Sequence, residues 1–335
     1  MSLASWTPWL AAALLALLYA RLVILRNRRL VRPPVLGADG APLAERTLRL
    51  SDGEVVAYLD VGPREPDGSI SPTVLLIPGA DGMKETFRFQ FHSLSERHRV
   101  LCADLRAAFA PGDTLDRLAL DVLELADEAG AETLVLVGQS LGGAIAMRFA
   151  VLHPARVAGL AAVNSLARVG YEHVGLNRAL LAPLAMATTR YLPTALGRGF
   201  ARLWSRLEVW IFDASPGGDR VVQYALWTGP RTVPSSVSRA RVRRLKETDL
   251  RSQLPSIRTP SLVVKGPRDH YVPPAWSHEI ASLIPCAEYA EVPGTGHCSH
   301  LSMPGTFNRV LGYWLSGLAI GARVRVSFFT EKGSE

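Results

Sequence analysis

The hydrophobic pattern opens on a greasy stretch. Residues 2–20, SLASWTPWLAAALLALLYA, carry no charged side chain, and after Arg21 the apolar character resumes through Leu22-Val23-Ile24-Leu25. As a helix, residues 3–25 would extend about 34 Å, against a hydrocarbon core of about 30 Å. The pattern therefore predicts an N-terminal transmembrane helix. Trp6 and Trp9 stand at one end as an aromatic belt would, and Arg26, Arg28, Arg29 and Arg32 follow the other. That asymmetry places the C-terminal side in the cytoplasm, for a single-pass membrane protein. Two readings compete. A cleaved signal peptide lacks its basic n-region here, and Leu18-Tyr19-Ala20 is a poor cleavage site. A surface helix docked on the body is the other. On the first reading residues 1–32 form the anchor with its basic flank, and 33–45 a linker.

From residue 46 short apolar runs alternate with helical periodicity. Residues 47–50 and 54–61 read as an antiparallel pair around Ser51-Asp52-Gly53. Residues 73–77, 100–104, 133–138, 157–163, 261–265 and 288–292 are short aliphatic runs of the kind buried on both faces of a sheet. Helical stretches at 114–129 and 144–152 lie between them. Strands separated by helical crossovers imply an α/β fold, a mostly parallel eight-stranded sheet with helices on both faces. The alternation breaks between 165 and 254, which is helical in character and carries Tyr171, Tyr191, Trp204, Trp210, Phe212, Tyr224 and Trp227. An insertion of that size predicts a helical lid over the sheet's carboxyl edge. The core then comprises 46–164 and 255–318, with 319–335 a C-terminal tail.

Composition narrows the function classes. Of 335 residues, 48% are hydrophobic and 20% charged, which excludes a disordered chain. The net charge is +7, yet only four of the 37 basic residues are lysines, Lys84, Lys246, Lys265 and Lys332. The arginines do not line one helix face, which argues against a nucleic-acid partner. Cys102, Cys286 and Cys298 form neither a zinc spacing nor a disulfide framework.

The chemistry concentrates in three loops. Gly138-Gln139-Ser140-Leu141-Gly142-Gly143 lies where a strand ends and a helix opens. A serine hydroxyl is a weak nucleophile, and so sharp a turn lifts it towards a base. Gly266-Pro267-Arg268-Asp269 follows the 261–265 strand, where an acid can hold an imidazole in one tautomer. Val292-Pro293-Gly294-Thr295-Gly296-His297 follows the last strand. Pro78-Gly79-Ala80 follows 73–77, where a backbone N–H can face a developing oxyanion together with that of Leu141.

Over roughly residues 45–318 these motifs, in this order and spacing, resemble the α/β-hydrolase superfamily. The resemblance implies Ser140 as nucleophile, His297 as base, Asp269 as its partner, and Ala80 and Leu141 as the oxyanion hole. It implies no cofactor and no metal. The expected activity is hydrolysis of carboxylic esters through an acyl-enzyme, on an apolar substrate such as a monoacylglycerol-like lipid ester. The alternatives are cleavage of amide or C–C bonds, or a catalytically silent binding protein of the same fold.

Other residues compete for these roles. Asp104 ends a strand but precedes Ser140, out of order for the acid; Asn164 stands at an alternative acid position yet cannot ionise. His300 could be mistaken for the base or for half a metal site, and His270 reads as a rim residue. Cys298 reads as a small buried side chain. Asp81 lies beside the anion site, where a carboxylate would oppose an oxyanion unless turned away or paired. The run from Arg231 to Lys246 holds six basic side chains and no acid, either a solvated face or one turned to anionic headgroups. Residues 317–329 are read as a terminal strand or a second surface contact.

Overall fold

A computed structural model describes residues 6–27, 32–37, 39–63, 72–170 and 177–319. Eight strands form one sheet: β1 (Arg46–Arg49), β2 (Val55–Val61), β3 (Thr73–Ile77), β4 (Val100–Ala103), β5 (Leu134–Gln139), β6 (Val157–Val163), β7 (Ser261–Lys265) and β8 (Ala287–Glu291). Their order is β1-β2-β4-β3-β5-β6-β7-β8. Among them β2 alone is reversed, antiparallel to β1 and β4, and the other neighbouring pairs are parallel. The expected α/β fold is present, with strand ends within two residues of those read from the sequence.

β3, β5 and β7 are buried at every position, as strands covered on both faces must be. Alternation along them divides the core into two layers. Leu75, Leu101, Leu136 and Val263 face α3 (Leu115–Glu128) and α4 (Leu141–Leu152). Leu76, Cys102, Val137 and Val264 face α2 (Arg88–Leu94) and α12 (Pro304–Ala319), through Phe91, Phe307 and Trp314. α3 shows why such a segment is helical. Leu115, Leu118, Ala119, Val122, Leu125 and Ala126 make one buried stripe, and the Thr114 hydroxyl caps the Asp116 N–H. α10 (Pro274–Leu283) bridges β7 to β8, and the single turn α11 (Ser299–Ser302) leads into α12.

Between β6 and β7 the inserted segment supplies α5 (Ala182–Tyr191), α6 (Thr194–Arg206), α7 (Gly218–Trp227), the short α8 (Gly229–Thr232) and α9 (Ser235–Lys246). Trp204, Trp210, Phe212 and Tyr224 form a third cluster there, which also takes in Cys298 and Leu301.

The N-terminal expectation needs correction. Residues Thr7–Asn27 do form a helix, α1. Among the described residues, however, no helix is long and apolar enough to cross a membrane. Arg21 interrupts it, and the uncharged part from Thr7 to Ala20 spans only about 21 Å at about 1.5 Å per residue, short of about 30 Å. The single-pass assignment, the membrane contact through this helix and the cytoplasmic placement derived from it fall together. α1 instead lies against the inserted helices. Tyr19, Leu22, Val23 and Arg26 line a cavity of about 280 Å³ with Leu192, Leu226, Trp227 and Arg231. Arg28 and Arg29 lie outside the described residues, as do 320–335, where a terminal strand or surface contact was expected.

Candidate active site

Ser140 sits at the junction of β5 and α4 with φ 55 and ψ −118, a left-handed conformation for a residue with a side chain. Its N–H donates to the Val163 carbonyl at 2.8 Å, and its carbonyl accepts from the Ser165 hydroxyl at 2.7 Å. The flanking glycines are there because nothing larger fits. A Cβ on Gly138 would lie 2.1 Å from the Gly142 carbonyl oxygen, and one on Gly142 would lie 2.0 Å from that of Ile77. Gly142→Ala is accordingly expected to destabilise the fold by about 3 kcal/mol, since backbone, unlike a side chain, cannot swing aside. A urea melt of the variant checks this, and an unchanged midpoint would contradict it.

The loop after β8 brings His297 over this turn. Its Nε2 is 3.1 Å from Ser140 Oγ and its Nδ1 2.9 Å from Asp269 Oδ2. His297 and Asp269 are both buried, and the Tyr271 ring meets the imidazole edge-on with centroids 5.3 Å apart. Such a chain can pass a proton from a hydroxyl to an imidazole while the carboxylate faces the cation that forms.

Asp269 is held from several sides. Its Oδ2 also accepts from Asn164 Nδ2 at 3.0 Å and Lys265 Nζ at 2.6 Å, and its Oδ1 from the N–H groups of Tyr271 and Val272. Burial alone would raise this carboxyl, but the charges of His297 and Lys265 and their hydrogen bonds outweigh it, holding it well below the usual carboxylate range. Asn164 thus supports the carboxylate that stands at the other acid position. Its Nδ2 also donates to the Gly296 carbonyl, and its Oδ1 accepts from Ser299.

Ala80 follows β3, and Leu141 opens α4. Their segments lie close together, since a Cβ on Gly142 would sit 2.0 Å from the Ile77 carbonyl oxygen and 2.6 Å from that of Pro78. Neither N–H donates to a carbonyl among the turn, loop and cap hydrogen bonds of the described residues. Asp81 is paired. Its carboxylate accepts from the Tyr224 hydroxyl of α7. Burial raises the Asp81 carboxyl, with Tyr224 and Arg241 opposing, and burial and Asp81 push the Tyr224 hydroxyl well up, so it stays a donor. A carboxylate that is hydrogen-bonded to Tyr224 opposes a nearby anion less than a free one would.

The loop itself is braced from α9. Arg241 donates to the carbonyls of Ala80 and Asp81, to Arg106 at 2.9 Å, and to Leu105. Gly82, at φ 66, leaves room for that guanidinium; a Cβ would sit 2.2 Å from Nη1. The solvated-face and headgroup readings of the 231–246 run are therefore corrected at two positions. Arg231 and Arg241 are both buried, whereas Arg243 is exposed and pairs with Glu247. From the same inserted segment the buried Asp213 accepts the Gly296 N–H at 3.1 Å and steadies the loop that carries His297.

The competing residues lie elsewhere. Asp104 accepts from the Lys84 N–H at 3.0 Å and pairs with Arg32. His300 is fully buried, its Nε2 3.0 Å from Thr86 Oγ1, and desolvation and His297 push it down to about 3. Among the described residues no group of three or more His, Cys, Asp or Glu side chains is placed to hold a metal ion. His270 is exposed, its Nε2 3.2 Å from Glu208 Oε2. Cys298 is buried, and burial raises its thiol far above the usual range. Sequence reasoning missed Lys265, Tyr224 and Arg241 as neighbours of the site. One signal was available: Arg241 and Leu245 are four apart and share the buried face of α9.

Comparisons with known proteins agree with this architecture. Residues 74–310 match the model of the alpha/beta hydrolase family. A segment of the polyketide synthase ThaQ of Burkholderia thailandensis is 30% identical over 245 residues; the match takes in 70% of this chain and only 11% of that protein. The putative carbamate hydrolase RutD of Escherichia coli is 25% identical over 287 residues, 81% of this chain and 96% of its own. A solved hydrolase from Pseudomonas aeruginosa superposes with a TM-score of 0.61 at 26% identity, covering 81% of this chain and 98% of its own.

Proposed function

The chain belongs to the alpha/beta hydrolase family, and we propose that within it the protein is a serine hydrolase of carboxylic esters working through an acyl-enzyme. Ser140 Oγ attacks the ester carbonyl while its proton passes to His297 Nε2. The Nδ1–H stays with Asp269, which faces the imidazolium and takes no proton. The N–H groups of Ala80 and Leu141 receive the oxyanion. As the tetrahedral intermediate collapses, His297 returns the proton to the departing alcohol. Water, deprotonated by His297, then attacks the acyl carbonyl; the acid leaves and Ser140 regains its proton. Residues 177–246 act as a lid, on the strength of the contacts Asp213, Tyr224 and Arg241 make with the site loops.

The observation that carries this reading is one imidazole bridging Ser140 and Asp269 at 3.1 and 2.9 Å. No catalytic step is routed through a metal or cofactor. The lipid-ester expectation drew on a membrane anchor and on the aromatic side chains of the inserted segment; it loses the first support and keeps only the second.

A second reading has its own support. The likeness to a carbamate hydrolase along nearly all of that protein's length favours cleavage of a C–N acyl bond by the same steps. One experiment separates the two. A fluorophosphonate probe is expected to label the protein and to leave Ser140→Ala unlabelled. Equal labelling of both overturns the nucleophile. With the labelled protein, turnover of p-nitrophenyl esters supports the ester reading; release of p-nitroaniline from acyl anilides without it supports the second.

A further inference from the structure

Lys265 ends β7 and is fully buried, and nothing in the steps above uses it. Its Nζ donates to Asp269 Oδ2 and to the Val272 carbonyl, each at 2.6 Å. A buried ammonium is tolerated only where it is paired and hydrogen-bonded. Here the partner is the same carboxylate oxygen that accepts from His297 Nδ1. Two ionisable nitrogen groups therefore share one carboxylate oxygen, beside the neutral amide of Asn164. One is the Lys265 amine, ion-paired to the carboxylate at 2.6 Å, and the other gains charge each time a proton leaves Ser140.

We propose that Lys265 is a fourth member of the Ser140–His297–Asp269 arrangement, a positioning residue whose charge restrains imidazolium formation at His297 and so sets the lower pH limit of activity. The inference rests on the serine-hydrolase reading above. Two consequences follow from the geometry. Lys265 fixes the acid's second partner and so the direction from which Oδ2 meets the imidazole. It also places a cation beyond the carboxylate, where it takes part of the negative charge that would otherwise stabilise an imidazolium. Burial lowers the Lys265 ammonium, with Asp269 and Glu291 opposing.

The other groups around this set act from fixed places. Glu291, paired with Lys265 across β7 and β8, is half-buried at the sheet edge. Asp213 approaches from the inserted segment through Gly296, and Tyr271 meets the imidazole edge-on. His300 and the Cys298 thiol are buried in uncharged form, the first pushed down to about 3 by desolvation and His297, the second raised by burial. Among the described residues that leaves Lys265 as the cation in direct contact with Asp269 besides a protonated His297.

The test is the pH dependence of the rate at which a fluorophosphonate labels Ser140, from about pH 5 to pH 9, in the full chain and in Lys265→Met. Labelling reads the base without requiring an ester to be turned over. The acid limb of the variant is expected to lie about one pH unit higher, so that at the wild-type midpoint labelling slows about fivefold. Lys265→Gln keeps a neutral donor towards Asp269 and is the variant expected to fold where Met does not, as circular dichroism and melting will show. Its limb should move as that of Met does. Superimposable limbs, or a limb moved to lower pH, overturn the proposal, as does a shift with Met that Gln abolishes, since that would leave only the hydrogen bond. A wild-type protein that takes no label sinks the nucleophile and this inference together, whereas a labelled protein with an unmoved limb sinks this inference alone.

Discussion

His297→Ala is expected to lower kcat for any ester the protein hydrolyses by about 10,000-fold, with the fold intact. The loss follows from position. Ser140 Oγ has the His297 Nε2 at 3.1 Å as its acceptor, and a serine hydroxyl without a base is a poor nucleophile at neutral pH. The nearest substitute fails on two counts. His300 is pushed down to about 3 by desolvation and His297, and its Nε2 already faces Thr86 Oγ1. Folding survives because Asp269 keeps its other partners, Lys265, Asn164 and the N–H groups of Tyr271 and Val272. Steady-state hydrolysis and the rate of fluorophosphonate labelling should fall in parallel, while the melting temperature moves by only a few degrees. Hydrolysis persisting at a tenth of the wild-type rate would mean that the base lies elsewhere.

What could be read from the sequence, and what could not, divides along a physical line. The strands were legible because burial on both faces leaves an unbroken aliphatic run, as in Thr73–Ile77 and Ser261–Lys265. The three candidate loops were legible because each is local. Gly138, Gly142 and Ser140 are tied within one turn, and each of the other loops follows a strand end. The supports of those loops are not local. Tyr224 lies 143 residues from Asp81 and Arg241 160 residues from the same residue, and no spacing rule links such pairs. Lys265 was hidden differently, in a strand where a lysine looks like a solvent-facing end. The N-terminal helix misled because length and composition were read together across Arg21, whereas spanning depends on the uninterrupted part.

The same contrast makes Arg241 the second position of large effect. Arg241→Met is expected to lower the free energy of unfolding by about 3–5 kcal/mol, the range for removing one member of a buried, paired set. Four carbonyls, those of Ala80, Asp81, Leu105 and Arg106, lose this donor, two of them in buried hydrogen bonds and two in part-buried ones. Burial pushes the guanidinium down to about 10, with Asp81 and Asp104 opposing, so it is charged at neutral pH and the hydrogen bonds it gives are charge-assisted. The effect should reach the chemistry, because two of those carbonyls belong to the loop whose Ala80 N–H is assigned to the oxyanion. Pro78 has no N–H to give, and within the loop the Gly82 N–H donates to the Gly79 carbonyl at 2.9 Å; from outside, Tyr224 holds the Asp81 side chain and Arg241 of α9 holds the Ala80 and Asp81 carbonyls. Measured well below its melting temperature, the variant should therefore lose about 100-fold in kcat with a much smaller change in KM, the mark of an interaction used at the transition state. Arg241→Lys should recover little of either, since an ammonium cannot reproduce the planar fork that reaches four acceptors at once. A variant that melts early yet turns over normally while folded would reduce Arg241 to a brace of the fold and free the oxyanion loop from any dependence on α9.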